Sequence, residues 1–167
     1  MDNFNIENDG TIRVGEGRGF KIAEGWENRD IHMPIRSTKH ACAYDVEAAE
    51  DVLIPVYEPG IKPTLVPTGL KAYCNNDEWY MLANRSSGPK KGLLMANGSG
   101  IIDADYYGNE TNDGHFMFQY FNCSDKVVEI KKGDVIGQVI FQKFLLADND
   151  NVKNVVRTGG FGSTDKN

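Results

Sequence analysis

Asp103-Ala104-Asp105 sets two carboxylates at i and i+2. On a strand they share a face, and one could take a proton from water as a general base. A solvated turn accounts for the pair equally well. Upstream, Arg85-Ser86-Ser87-Gly88-Pro89-Lys90-Lys91-Gly92 gathers one arginine, two hydroxyls and two lysines just after an apolar run. That composition suits an anion, though an ordinary basic loop has it too. Near the end stands Arg157-Thr158-Gly159-Gly160-Phe161-Gly162-Ser163-Thr164. Its arginine can pair with phosphate oxygens, its glycine amides can approach an anion closely, and its one ring can stack on a flat base. Phosphate groups plus a planar ring point to a nucleotide. Asp45, in Ala43-Tyr44-Asp45-Val46, is an acid among residues of buried type. It needs a partner or a cation, and a structural hydrogen bond is the commoner answer.

Other chemistries lack their residues. His32, His40 and His115 have no His-x-x-x-His spacing, and Cys42, Cys74 and Cys123 have no Cys-x-x-Cys spacing. Disulfide frameworks and transition-metal sites are therefore not expected. Any metal should be Mg²⁺, held through oxygens and substrate phosphates. There is no Gly-x-Ser-x-Gly elbow and no P-loop, and Gly15-Glu16-Gly17-Arg18-Gly19 lacks the spacing of a dinucleotide loop. A net charge of −6 argues against a nucleic acid polymer as partner. No apolar run is long enough to cross a membrane, and the acidic start is not a targeting signal. The chain reads as cytoplasmic, with reduced thiols.

The elements that must position these groups read as β. Length predicts one domain over residues 1–146, with 1–33 as a polar lead-in and 147–167 as a flexible C-terminal arm. Strand candidates are Val52 to Val56, Leu65-Val66, Trp79 to Leu82, His115 to Phe121, Val127 to Ile130 and Val135 to Phe141. Turn residues fall between them about every ten residues, which predicts an all-β sandwich, barrel or jelly roll. The best helix candidate is short, around Glu47 to Glu50. Asn97-Gly98 between apolar arms predicts a β-hairpin, with Gly100 allowing close backbone approach on the return arm.

In order along the chain come Ala43-Tyr44-Asp45, Arg85-Ser86-Ser87, Asn97 through Asp103-Ala104-Asp105-Tyr106, Gly133 through Gln138, and Gly159-Gly160-Phe161-Gly162-Ser163-Thr164. This series resembles the five motifs of the trimeric dUTPase family, from about Gly19 to Thr164. Arg18-Gly19-Phe20 through Pro34 to Thr38 is similar to the forms in Gram-positive bacteria and their phages. The resemblance implies a jelly-roll-like homotrimer that hydrolyses dUTP to dUMP and pyrophosphate with Mg²⁺, limiting uracil in DNA and supplying dUMP for dTMP. Each active site would draw on three subunits, with the arm closing over a neighbour's site.

By the same resemblance, Asp103 would activate water and Tyr106 would pack on the deoxyribose and exclude a 2′-hydroxyl. Asn97, main-chain groups of Gly100, Ile101 and Ile102, and Met117 would read the uracil edge. Arg85, Ser86, Ser87, Gly88 and Gln138 would hold phosphates. Arg157, Gly162, Ser163 and Thr164 would hold the terminal phosphate, Phe161 would cover the base, and Asp45 would meet Mg²⁺ through water. The chain departs from the pattern in the spacing of Arg157 before Gly159, in Asp165, and in Gly137 where alanine is usual. Two other readings remain: a dCTP deaminase-like enzyme on the same fold, or a regulatory protein-binding role on this scaffold.

Overall fold

In the computed structural model, strands alternate residues that face a shared apolar core with residues that face out. The structure describes residues 17–152 and, by backbone pairing alone, two short strands before them, β1 (Phe4–Ile6) and β2 (Ile12–Val14). Ten further strands follow: β3 (Gly19–Ile22), β4 (Tyr44–Glu47), β5 (Val52–Ile54), β6 (Thr64–Tyr73), β7 (Glu78–Asn84), β8 (Leu93–Met95), β9 (Gly100–Asp103), β10 (His115–Asn122), β11 (Val128–Ile130) and β12 (Val135–Lys143). One four-stranded sheet has the order β3-β6-β10-β8 and another β4-β12-β7-β9, while β1-β2 and β5-β11 form two-stranded pairs. Every strand pairing is antiparallel. The architecture is the expected all-β, jelly-roll-like one. Among the described residues no helix is long and apolar enough to cross a membrane.

The two larger sheets face each other across Val46, Val66, Leu70, Tyr80, Leu82, Phe116, Phe118, Tyr120 and Val139, all buried. Tyr80 meets Phe116 edge-on at 5.9 Å, a favoured arrangement of ring quadrupoles. Tyr120 donates its hydroxyl to Ile136 O at 2.6 Å, and burial pushes its ionisation well above the ordinary range. Gly137 leaves room for Phe118: a Cβ there would lie 2.1 Å from a carbon of the phenyl ring.

Three expectations are corrected. The run at Leu65-Val66 continues through Pro67 to Tyr73 as the ten-residue β6. A proline in mid-strand normally marks an edge or a bulge. Here the pairing of β6 with β10 jumps from Met117↔Pro67 to His115↔Lys71. That bulge takes Thr68 and Gly69 out of the ladder, and the His115 imidazole receives their amides, at 3.3 and 2.9 Å to Nε2. Gly69 has φ 68°, and a Cβ there would press on Ile31 at 2.8 Å.

Residues 47–50 form no helix; β4 ends at Glu47 and bends follow. The Asn97-Gly98 turn exists, with Gly98 at φ 70° and its N–H donating to Met95 O at 3.0 Å. Its arms do not pair as a hairpin. β8 joins β10 in one sheet and β9 joins β7 in the other, so the turn is an arch between sheets. Asn-Gly specifies a reversal of the chain, but not which sheet the return arm enters.

Candidate active site

Asp45, Gln138 and Ala83 are register partners across β4, β12 and β7. Their neighbours Val46, Val139 and Leu82 point into the core, so strand alternation sends these three to the outer face. Arg85 leaves the end of β7 beside them. Its Nε lies 3.2 Å from Asp45 Oδ1, and Ser37 donates its hydroxyl to Asp45 Oδ2. Gln138 Nε2 donates to Asn84 O at 3.0 Å. An acid, an arginine and an amide from distant stretches of sequence thus meet within one chain.

The loop after β7 is a tight one. Gly88 N–H donates to Arg85 O at 3.0 Å, and a 3₁₀ turn, Pro89–Lys91, follows. Ser86 and Ser87 are exposed. Beneath the loop, Asn84 donates from Nδ2 to Leu93 O at 2.9 Å and turns Oδ1 towards Gly88. Any side chain at Gly88 would overlap that oxygen. Glycine at 88 therefore lets Asn84 keep this position, a local role apart from any ligand.

The second group of expected residues lies on and around β9. Ala96 N–H donates to Gln119 O at 3.0 Å, which sets Asn97 near β10, where Met117 and Gln119 are half-buried. Gly100 is buried, and a Cβ on it would meet Leu82 at 3.1 Å, so the close approach expected there is present. Ile101 is exposed and Ile102 half-buried. Asp103 ends β9, exposed on the outer face, and its carboxylate does not cap the 3₁₀ turn Ala104–Tyr106 that follows. Tyr106 is buried and donates its hydroxyl to His115 O at 3.1 Å. Burial pushes the His115 imidazole down to about 4, and its Nε2 accepts amides, so it stands neutral with the proton on Nδ1. Nearby, burial and then Glu78 push the Cys74 thiol up to about 11, which removes it as a nucleophile at neutral pH.

Asp103 and Arg85 do not meet within the chain. Asp103 pairs with Trp79 at the start of β7, whereas Arg85 follows its end. That separation is roughly 20 Å of extended strand at about 3.4 Å per residue. Arg85 also reaches towards β4, on the side of β7 away from β9.

Arg157, Phe161, Gly162, Ser163 and Thr164 lie outside the described residues. Among the described ones, no three His, Cys, Asp or Glu side chains cluster as a ready-made metal site. Sequence reasoning passed over Ser37, which holds Asp45, and Asn84, which shapes the loop. Ser37 had no signal of its own, but Asn84 directly precedes the Arg-Ser-Ser run.

The family model described as dUTPase matches residues 29–165. The deoxyuridine 5′-triphosphate nucleotidohydrolase of Lactococcus lactis subsp. lactis is 47% identical over 149 residues, 88% of this chain and 97% of the relative. The crystal structure of dUTPase from Streptococcus mutans aligns with a TM-score of 0.72 at 39% identity, over 78% of this chain and 99% of that one. The dUTPase from phage phi11 of S. aureus shares the fold, with a TM-score of 0.65 at 17% identity over 83% of this chain and 97% of that one. With a family model across most of its length and a relative so similar from end to end, the chain belongs to the dUTPase family.

Proposed function

We propose that this member of the dUTPase family hydrolyses dUTP to dUMP and pyrophosphate, with Asp103 as general base. Water gives a proton to the Asp103 carboxylate as its oxygen bonds to the α-phosphorus, and the bond from that phosphorus to pyrophosphate breaks. Arg85, Ser86, Ser87, Gly88 and Gln138 hold the phosphates, where fixed donors meet the charge that develops on the leaving group. Tyr106 packs on the deoxyribose. Asn97, the backbone of Gly100 to Ile102 and Met117 read the base. Phe161 covers it, while Arg157, Gly162, Ser163 and Thr164 close on the terminal phosphate.

The observation that carries the reading is the separation of Asp103 and Arg85 along β7. A base poised at the α-phosphorus and donors on the phosphates must lie within the span of one triphosphate. One chain holds them at opposite ends of a strand, so the site is completed by neighbouring copies, as in a homotrimer. Each chain then gives its phosphate-binding half to one site and its Asp103 half to another.

Asp45 fits a magnesium ion that arrives with the triphosphate. It is a single acid beside phosphate-binding groups, suited to bind through water rather than within a protein cage. Bound there, the metal would neutralise charge on the triphosphate and on departing pyrophosphate.

The test is pyrophosphate release from dUTP, dCTP, UTP and dTTP, with Mg²⁺ and with chelator, alongside light scattering. Turnover of dUTP alone by a trimer is expected. Ammonia release from dCTP, or full activity in a monomer, would overturn the reading. Co-refolding Asp103→Asn with Arg85→Ala chains should restore activity that neither has alone.

A further inference from the structure

The stretch from Gly108 to Gly114, Gly-Asn-Glu-Thr-Asn-Asp-Gly, has the composition of a solvated loop. Both of its asparagines are nevertheless drawn inward, and Asn109 is only 6% exposed. Asn109 accepts at Oδ1 from the amides of Thr111 and Asn112, at 3.0 and 3.2 Å. It donates from Nδ2 to Tyr106 O at 2.8 Å and to Asn112 Oδ1 at 2.9 Å. Asn112 accepts a second bond at Oδ1 from Gly114 N–H, at 3.2 Å. It donates from Nδ2 to Tyr106 Oη at 2.8 Å and to His115 O at 3.0 Å. Both donors and both acceptor positions of this one amide are used. Its orientation is fixed, because a flipped amide would set an oxygen against the His115 carbonyl.

Tyr106 is therefore gripped at two ends. Asn109 holds its main-chain carbonyl, while Asn112 and His115 O hold its hydroxyl. The loop also closes directly on the tyrosine's backbone. Gly114 has φ 82°, and a Cβ there would lie 2.8 Å from Tyr106 O. A fully satisfied buried network of this kind rigidifies what it holds.

A ring that excludes a hydroxyl by bulk alone is a filter only while it cannot retreat, and a displacement of about 1 Å is enough to undo such positioning. We infer that Asn112, backed by Asn109, is a positioning residue that holds Tyr106 in place, so that this loop sets the preference for deoxyribose over ribose. The inference rests on the role given to Tyr106 above.

The experiment measures kcat/KM for dUTP and for UTP, with thermal melting, on the full chain. It compares wild type with Asn112→Asp, Asn112→Ala, Tyr106→Phe and Tyr106→Ala. Asn112→Asp keeps the shape and removes both donors, Asn112→Ala removes the side chain, and Tyr106→Phe leaves the loop intact and removes only the hydroxyl end. The preference for dUTP over UTP should fall about tenfold or more in the Asn112 variants and in Tyr106→Phe, within the range that single pocket contacts supply. If Tyr106→Ala erodes the preference while these variants melt lower yet discriminate like wild type, the network is structural only and the inference is overturned. If Tyr106→Ala keeps the full preference, the tyrosine's role fails and the inference falls with it. Should the Asn112 variants not fold, an unchanged preference in Tyr106→Phe overturns it alone.

Discussion

The two halves of the proposed site are built on opposite principles. The phosphate half is made of charge at the surface: Asp45 against Arg85, with exposed serines beyond. A partly exposed ion pair of this kind contributes about 0–1 kcal/mol, so Arg85 can exchange a carboxylate for phosphate at small cost. The nucleoside half is neutral and buried behind its exposed aspartate: Gly100 on Leu82, Tyr106 in its amide network, His115 uncharged in a bulge. The lesson is that the half proposed to capture charge is kept exchangeable, while Tyr106, proposed to discriminate, is held by burial.

Asp103→Asn should break the nucleoside half most severely. Loss of a general base costs about 10²–10⁴-fold, so kcat should drop by that order while dUTP still binds. Single-turnover pyrophosphate release together with a binding titration measures both, and a variant within a few-fold of wild type removes Asp103 from the role. Arg85→Ala should break the phosphate half with the reverse signature. Activity is expected to fall on the order of 10²–10³-fold, the cost of one lost charge-stabilising donor. Stability should shift by about 1 kcal/mol, because a partly exposed pair is lost. A large fall in Tm would mean that Arg85 holds the fold.

His115 sharpens the contrast through pH. Its folded value, about 4, lies below the ordinary 6.5, so the folded state binds fewer protons than the unfolded state between them. Its contribution is whole above pH 6.5 and is lost as pH falls towards 4, by up to about 3 kcal/mol. Glu78, held low first by its Arg18 hydrogen bond, loses its contribution only below about 4.5, the ordinary value for the group. Chemical denaturation across pH 4–7 should show the slope in wild type and a flatter one in His115→Gln; equal slopes would show that His115 is not the source. The smallest effect belongs beside the phosphate half. Gly137→Ala drives a methyl into Phe118, and overpacking of a core costs about 1–3 kcal/mol. An unchanged Tm would show that the sheets yield at that point.

Much of this was legible in the sequence. Aromatic and β-branched runs located β7, β10 and β12, and the spacing of turn residues indicated an all-β fold. The Arg-Ser-Ser loop, Asp103 and Asp45 stood out as polar groups flanked by strand residues. What stayed hidden depends on distant partners. Pro67 reads as a break because only β10, opposite, absorbs the bulge, and only the fold brings His115 to the freed amides. Asn109 and Asn112 read as solvated because nothing local reveals that Tyr106 and His115 O close over them. Gly137 in place of alanine reads as a mild change until Phe118 is placed against it.

The arch at residues 96–99 would link the proposed base selectivity to the thickness of the sandwich. Its two feet stand in different sheets, so the core between those sheets sets the width of the opening it spans. Facing sheets keep their spacing, about 10 Å, through the volume of the side chains between them. Drift in the buried Phe118 or Leu82 would then be felt as a change in which bases the proposed site admits. With the site as proposed, base selectivity and core volume are coupled in this chain.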